Sequence, residues 1–152
     1  MRVLSFLKVG LAVLLLDQIT KHLAVTYLPP GESVALPGHL LYLTLVKNPG
    51  AAFGLFPRGT PLLIILTCGV LGVVWVYRRA IAKQSSLFRL GLTLALAGGI
   101  GNLVDRLRWG YVIDFLDIRF WPIFNVADIA IVAGVMLLLG LIIGGDESRS
   151  GS

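Results

Sequence analysis

Two aspartates stand where a carboxylate is hard to explain without a function: Asp114 inside the apolar run YVIDFL, and Asp128 within NVADIAIVAG. Neither has an obvious cation beside it in the sequence. If the fold brings them together they form a carboxylate pair, which shares one proton and titrates as a unit. The ionised member can take a proton from water as the water attacks a peptide carbonyl. The protonated member donates to the carbonyl oxygen and then helps the amine leave. Such a site needs neither a metal nor a covalent intermediate, and its dependence on one proton predicts a bell-shaped pH profile. Asp128 falls in the first turn of its helix, whose positive end suits the ionised role.

Other polar residues gather near these two. Asn102, Asp105 and Arg106 are three and four apart and share a helical face, as do Asn125 and Asp128. Asp17 and Lys21 are also four apart, and Asn48 lies in KNPG. Each has a plainer reading. Asp17 with Lys21 reads equally as an interfacial ion pair, and Asn125 as a helix cap. Asp105 beside Arg106 reads as a structural pair, Asp117 as a solvated surface carboxylate, and Asn48 as a turn residue before Pro49. Ala97, Gly98, Gly99 and Gly101 are small enough to let another helix approach.

Other chemistries lack their residues. Cys68 is the single cysteine and has no C-x-x-C partner, and the two histidines, His22 and His39, form no H-E-x-x-H. No G-x-S-x-G is present. No metal or other cofactor is expected. The net charge of +5 does not indicate nucleic acid, because the basic residues sit in short clusters between apolar runs.

The elements that must position these groups follow from composition. A chain of 152 residues that is 57% hydrophobic and 14% charged, with a mean hydropathy of +0.88, has too little interior to hide its apolar surface. Lipid is its expected solvent. A crossing helix needs about 20 apolar residues; four stretches approach this, at about 5–26, 61–77, 88–107 and 123–144. The N-terminal stretch reads as a retained span, since Lys8 interrupts it and no small-x-small cleavage site follows. Pro61 can start the second span and Arg78-Arg79 can end it at the headgroups. The connection at about 27–60 is rich in Pro and Gly around LLYLTLV, which predicts a small β-sheet lying on the membrane. The third connection, about 108–122, carries Trp109, Tyr111, Phe115, Phe120 and Trp121, residues suited to an interfacial aromatic belt.

The expected fold is therefore an all-α membrane protein with four transmembrane helices and a small β-sheet in the first extracytoplasmic connection, in one membrane domain. Residues 145–152 are expected to form a disordered tail. Arg2, Lys8, Arg78, Arg79, Lys83 and Arg89 fall on one side, which the positive-inside rule makes cytoplasmic, although Lys21, Lys47, Arg58, Arg106, Arg108 and Arg119 lie on the other. In an up-down-up-down bundle the polar residues named above all gather at that second face. Pooling at one leaflet points away from a proton-coupled transporter, which should carry ionisable groups through the depth of the bilayer. A non-catalytic membrane subunit held together by its polar residues is the remaining rival.

Five linked segments, DQITK at 17–21, KNPGAAFG at 47–54, GNLVDR at 101–106, GYVIDFLD at 110–117 and FNVADIAIVAG at 124–134, resemble the bacterial lipoprotein signal peptidase family, also called signal peptidase II. They run in family order over nearly the whole chain. One departure is AGGIGN at 97–102, where the family carries glycine first and alanine third. The resemblance implies a multi-pass aspartyl endopeptidase of the bacterial cytoplasmic membrane, with both termini cytoplasmic and its site near the outer surface. It would remove signal peptides from prolipoproteins ahead of a diacylglyceryl-modified cysteine. It implies Asp114 and Asp128 as the catalytic pair. Asp17, Asn48, Asn102, Arg106 and Asn125, and less directly Asp105, would shape or stabilise the site. Implied partners are lipid-modified prolipoproteins, membrane phospholipid and globomycin-type peptide antibiotics, with no nucleic acid and a monomer expected.

Overall fold

In hydrocarbon a backbone must satisfy its own hydrogen bonds, so the long apolar stretches fold as helices. The computed structural model describes residues 3–50 and 59–150, with side chains at 5–50 and 59–144. Arg2, Arg58 and the AAFG part of the KNPGAAFG segment lie outside the described residues. Among those described are four long helices: α1 at Val3–Tyr27, α2 at Thr60–Ile81, α3 at Ser86–Trp109 and α4 at Val126–Ser150. The spans long and apolar enough to cross a membrane are Ser5–Tyr27, Thr60–Ile81, Ser86–Trp109 and Val126–Gly144.

The expected four spans are all present, with some ends displaced for local reasons. α2 starts with Pro61 in its first turn and continues past 77 to Ile81, carrying Arg78 and Arg79 in its last turn. Arg78 folds back over the Trp75 ring at 4.4 Å and donates to the Trp75 carbonyl oxygen at 2.7 Å, which keeps a cation at the helix end. α3 is capped by Ser85, whose hydroxyl accepts from the Phe88 N–H, and stops at Gly110, which takes φ +78. α4 begins at Val126 rather than 123, because Phe124 pairs with Leu116 as a β-bridge. At its other end the backbone stays helical to Ser150, where a disordered tail from 145 was expected. Each residue added to an existing helix gains a hydrogen bond, and 145–150 holds no Pro to stop it. Residues 151–152 lie outside the described residues.

The small sheet has three strands, β1 at Ser33–Ala35, β2 at Tyr42–Asn48 and β3 at Val112–Asp117, ordered β1-β2-β3 and antiparallel throughout. The first two come from the connection where strands were expected. β3 comes from the connection between α3 and α4, read from sequence only as an aromatic belt. Its residues are buried on both faces except Leu116, so no alternation marks it as a strand. Phe115 is accordingly buried rather than at the headgroups, whereas Trp109, Phe120 and Trp121 are exposed.

α3 is the central helix, packed against α1 and α4 through glycine. A Cβ at Gly98 would collide with the Ala127 carbonyl oxygen of α4, and one at Gly101 would sit 2.6 Å from the Asp17 carboxylate of α1. α2 buries none of its residues and contributes only one wall to the cleft described next.

Candidate active site

Asp114 is placed by strand pairing. It lies opposite Val46 on β2, which makes Asn48, two residues on, its diagonal neighbour on the same face. The Asn48 Nδ2 donates to Asp114 Oδ2 at 2.9 Å, while Asn48 Oδ1 accepts from the Gly50 N–H at 3.0 Å. Asn48 is therefore both the turn residue of KNPG and a partner of the aspartate.

Asp128 is placed by a helix cap. Asn125 Oδ1 accepts from the Asp128 N–H at 2.9 Å, and Asp128 Oδ2 accepts in return from the Asn125 N–H at 3.2 Å. This reciprocal arrangement is a capping box with Asp in the place of Glu or Gln. The β-bridge that pulls Phe124 against Leu116 brings the cap back to β3. Asn125, with no exposed surface, then donates its Nδ2 to Asp114 Oδ1 at 2.6 Å. One asparagine thus bonds both aspartates. A cap and a site element are the same residue here.

Asn102 is the junction behind them. Its Nδ2 donates to Asp128 Oδ1 at 2.8 Å, and its Oδ1 accepts from Asn125 Nδ2 at 3.2 Å and from Lys21 Nζ at 2.9 Å. Lys21 in turn lies 2.9 Å from both Asp17 Oδ2 and Asp105 Oδ2. Asp105 was read as a structural partner of Arg106; its partner is Lys21. Its Oδ2 also accepts from the Ile113 N–H at 3.2 Å, which ties α3 to the residue before Asp114. Asp17 Oδ1 accepts from the Ala127 N–H at 2.9 Å, which ties α1 to the residue before Asp128. Each catalytic candidate therefore follows a backbone N–H held by a buried carboxylate.

Gln18 was missed. Its Nε2 lies within hydrogen-bond distance of Asp17 Oδ2, Asp105 Oδ1 and the Gly101 carbonyl oxygen. The available signal was its place beside Asp17, one helical turn before Lys21 and His22. Asp117, read as solvated, is buried: it accepts from Thr44 Oγ1 at 3.0 Å and from the Arg119 N–H at 2.8 Å, and so closes the turn after β3.

The two aspartates open onto a cleft of about 410 Å3 whose walls come from α2 (Leu63, Thr67), α4 (Ile131, Val132) and the chain leading into α4 (Trp121, Phe124). Arg106 faces it too; it reaches the Gly50 carbonyl oxygen at 3.4 Å, and its buried Nε has no partner among the described residues. No ion pair reaches Asp114 or Asp128 among the described residues. Burial pushes the Asp114 carboxyl up to about 6; the amides of Asn48 and Asn125 and the Lys21 charge pull it down, and the Asp128 charge pushes it further up. Among the described residues no cluster of His, Cys, Asp and Glu could hold a metal ion. The arrangement can deliver a proton and remove one within a largely apolar cleft.

The family model described as signal peptidase (SPase) II matches residues 9–143. The lipoprotein signal peptidase of Moorella thermoacetica is 46% identical over 135 residues, 89% of this chain and 90% of that one. That of Mycobacterium tuberculosis is 43% identical over 152 residues, 95% of this chain and 73% of its own. A solved bacterial membrane enzyme, determined in meso at 2.3 Å, superposes with a TM-score of 0.88 at 27% identity, covering 99% of this chain and 93% of that one.

Proposed function

The chain belongs to the signal peptidase II family, and from that premise we propose that it removes signal peptides from prolipoproteins with Asp114 and Asp128 as its acid–base pair. The observation that carries this reading is the Asn125 bridge: one buried residue bonded to both carboxylates, to Asp114 through its side-chain amide and to Asp128 through its backbone N–H, at the mouth of an apolar cleft.

Asp114, the carboxyl pushed up by burial, holds the proton; Asp128, bonded by the Asn102 amide and the Asn125 N–H at the positive end of α4, acts as the base. Water between them attacks the scissile carbonyl carbon. Asp128 takes the proton of the water while Asp114 gives its own to the carbonyl oxygen. The tetrahedral intermediate then collapses: Asp114 recovers its proton from a hydroxyl, the C–N bond breaks, and Asp128 passes its proton to the leaving amine. The pair returns to its starting state. The free Nε of Arg106 is a donor for a peptide carbonyl on either side of the scissile bond.

The substrate bond lies ahead of a diacylglyceryl-modified cysteine, whose chains stay in the outer leaflet while the peptide enters the cleft. Both termini are cytoplasmic, and the sheet and the aspartates lie at the outer surface. Globomycin-type peptides occupy the same cleft. Both aspartates come from one chain, so a monomer suffices.

The test is cleavage of a diacylated prolipoprotein by the purified protein in detergent, with Asp114→Asn and Asp128→Asn compared after their melting is checked. Each variant should lose on the order of 10³-fold or more in rate while remaining folded. Near-full activity in either would make that aspartate structural and remove the pair.

A further inference from the structure

Two further hollows lie along α1 and α3, lined by none of the residues of the aspartate cleft. The outer one, about 180 Å3, lies between α1, the end of α3 and the sheet, with His22, Lys47, Arg108, Trp109 and Tyr111 around it. The deeper one, about 400 Å3, is apolar and lies between α1 (Leu7, Gly10, Leu11, Leu14) and α3 (Leu96, Ile100).

Both hollows lie against one face of α1. α1 and α3 run in the same direction, since Phe6 meets Arg89 at one end and Lys21 meets Asp105 at the other. On α1 the lining residues recur every three or four positions, from Leu7 through Gly10, Leu14 and Gln18 to His22 and Val25, so one stripe lines both hollows. Gly10 and Lys21 are separated along the helix by on the order of 16 Å, about half of a hydrocarbon core of ~30 Å, which is one leaflet.

The charges decide what fits the outer end. Lys21, in the floor, is already neutralised by Asp17 and Asp105, and the oxygens of Asp105 are taken by Gln18, Lys21 and the Ile113 N–H. Lys47 and Arg108 are different. Each is exposed and has no carboxylate within ion-pair distance among the described residues; they rest over the rings of Tyr111 at 5.4 Å and Trp109 at 5.3 Å. Two cations without an ion-pair partner among the described residues, held on aromatic rings, with an apolar hollow farther along the same face of α1, match a molecule with an anionic head and a hydrocarbon tail.

We propose that these two hollows bind one anionic phospholipid, its phosphate between Lys47 and Arg108 and one acyl chain along the shared face of α1 to the apolar hollow at Gly10. The diacylglyceryl group of a substrate lacks the phosphate that these cations select, and the catalytic candidates open on another face of α3. The lipid is therefore separate from the substrate. Lys47 immediately precedes Asn48 on β2, so an occupied site also steadies the strand that bonds Asp114.

The experiment is native mass spectrometry of the full chain in detergent, titrated with phosphatidylglycerol or phosphatidylcholine of matched chains. It needs no catalytic activity, so its outcome is independent of the peptidase reading. The wild-type protein should retain phosphatidylglycerol preferentially, and Lys47→Gln with Arg108→Gln should lower that retention by on the order of thirtyfold at unchanged melting temperature. Leu11→Trp, which fills the deep groove, should lower retention of both lipids. Equal retention of the two lipids, or no effect of the double substitution, overturns the proposal. Displacement by millimolar inorganic phosphate would reduce the site to a free-phosphate pocket, and displacement by a diacylglyceryl peptide would make it the substrate's lipid groove; either result also overturns it.

Discussion

At the scale of single residues the notable economy is in asparagine. Asn48, Asn102 and Asn125 each spend one end of the amide on structure and direct N–H groups at an aspartate. A carboxylate needs donors and a cap needs an acceptor, and the amide has both. The pH dependence follows. Because Asp114 sits at about 6, the pair holds its required proton below that value and loses it as the pH rises through it, so kcat/KM should fall on that alkaline side. The Asn48 N–H favours the ionised form of Asp114; Asn48→Ala should therefore raise the carboxyl further and move the alkaline limb to higher pH, with lower maximal activity. A pH–rate profile of the variant checks this, and a limb that stays put or moves down contradicts it. The buried Lys21 holds two carboxylates at once. Lys21→Met leaves both uncompensated and should cost on the order of 3–5 kcal/mol, read as loss of folded protein in a denaturation series.

At the scale of elements, the site depends on how closely α3 approaches its neighbours. Gly98 lets the Ala127 carbonyl lie against the α3 backbone, one residue before Asp128. Gly98→Ala must push α4 away; a loss of about 1–3 kcal/mol is expected, with activity falling more than stability because Asp128 moves off the Asn102 amide. Thermal melting and cleavage rate measured on the same sample test both parts. β3 has the complementary task of holding Asp114 against β2, and Asp117 and Arg119 close the turn that returns the chain to the cap. The helices were legible from their apolar length and end signals, and α2 kept its predicted start at Pro61. β3 was not legible: a six-residue strand buried on nearly both faces has neither the alternation nor the length that identifies an element.

At the scale of the whole molecule, the buried ionisable side chains, Asp17, Lys21, Asp105, Asp114 and Asp117, gather at one end of a bundle whose exposed helix faces are apolar, with Leu66, Val73 and Ile142 among the exposed residues. On the proposed reading, water and a lipid-held peptide meet at that end. If it is the outer surface, a cysteine placed at Glu32 in a Cys68→Ala background should react with an impermeant thiol reagent in intact cells, while one at Gln84 reacts only after permeabilisation. The reverse pattern would invert the assigned orientation.

The sequence by itself determined the solvent, the number of spans and the two aspartates that resist a structural explanation, because hydropathy and isolated charge are properties of local composition. It also carried the family, since five segments keep both identity and order. Only the tertiary structure decided who bonds to whom. Asp105 belongs to Lys21 rather than to its neighbour Arg106, Asp117 is buried, and Gln18 joins the network, because hydrogen-bond partners are chosen by the approach of α1, α3 and β3 in space. The bridge through Asn125 exists only because Phe124 folds back on Leu116. A contact eleven residues apart in the chain has no helical or strand period to announce it.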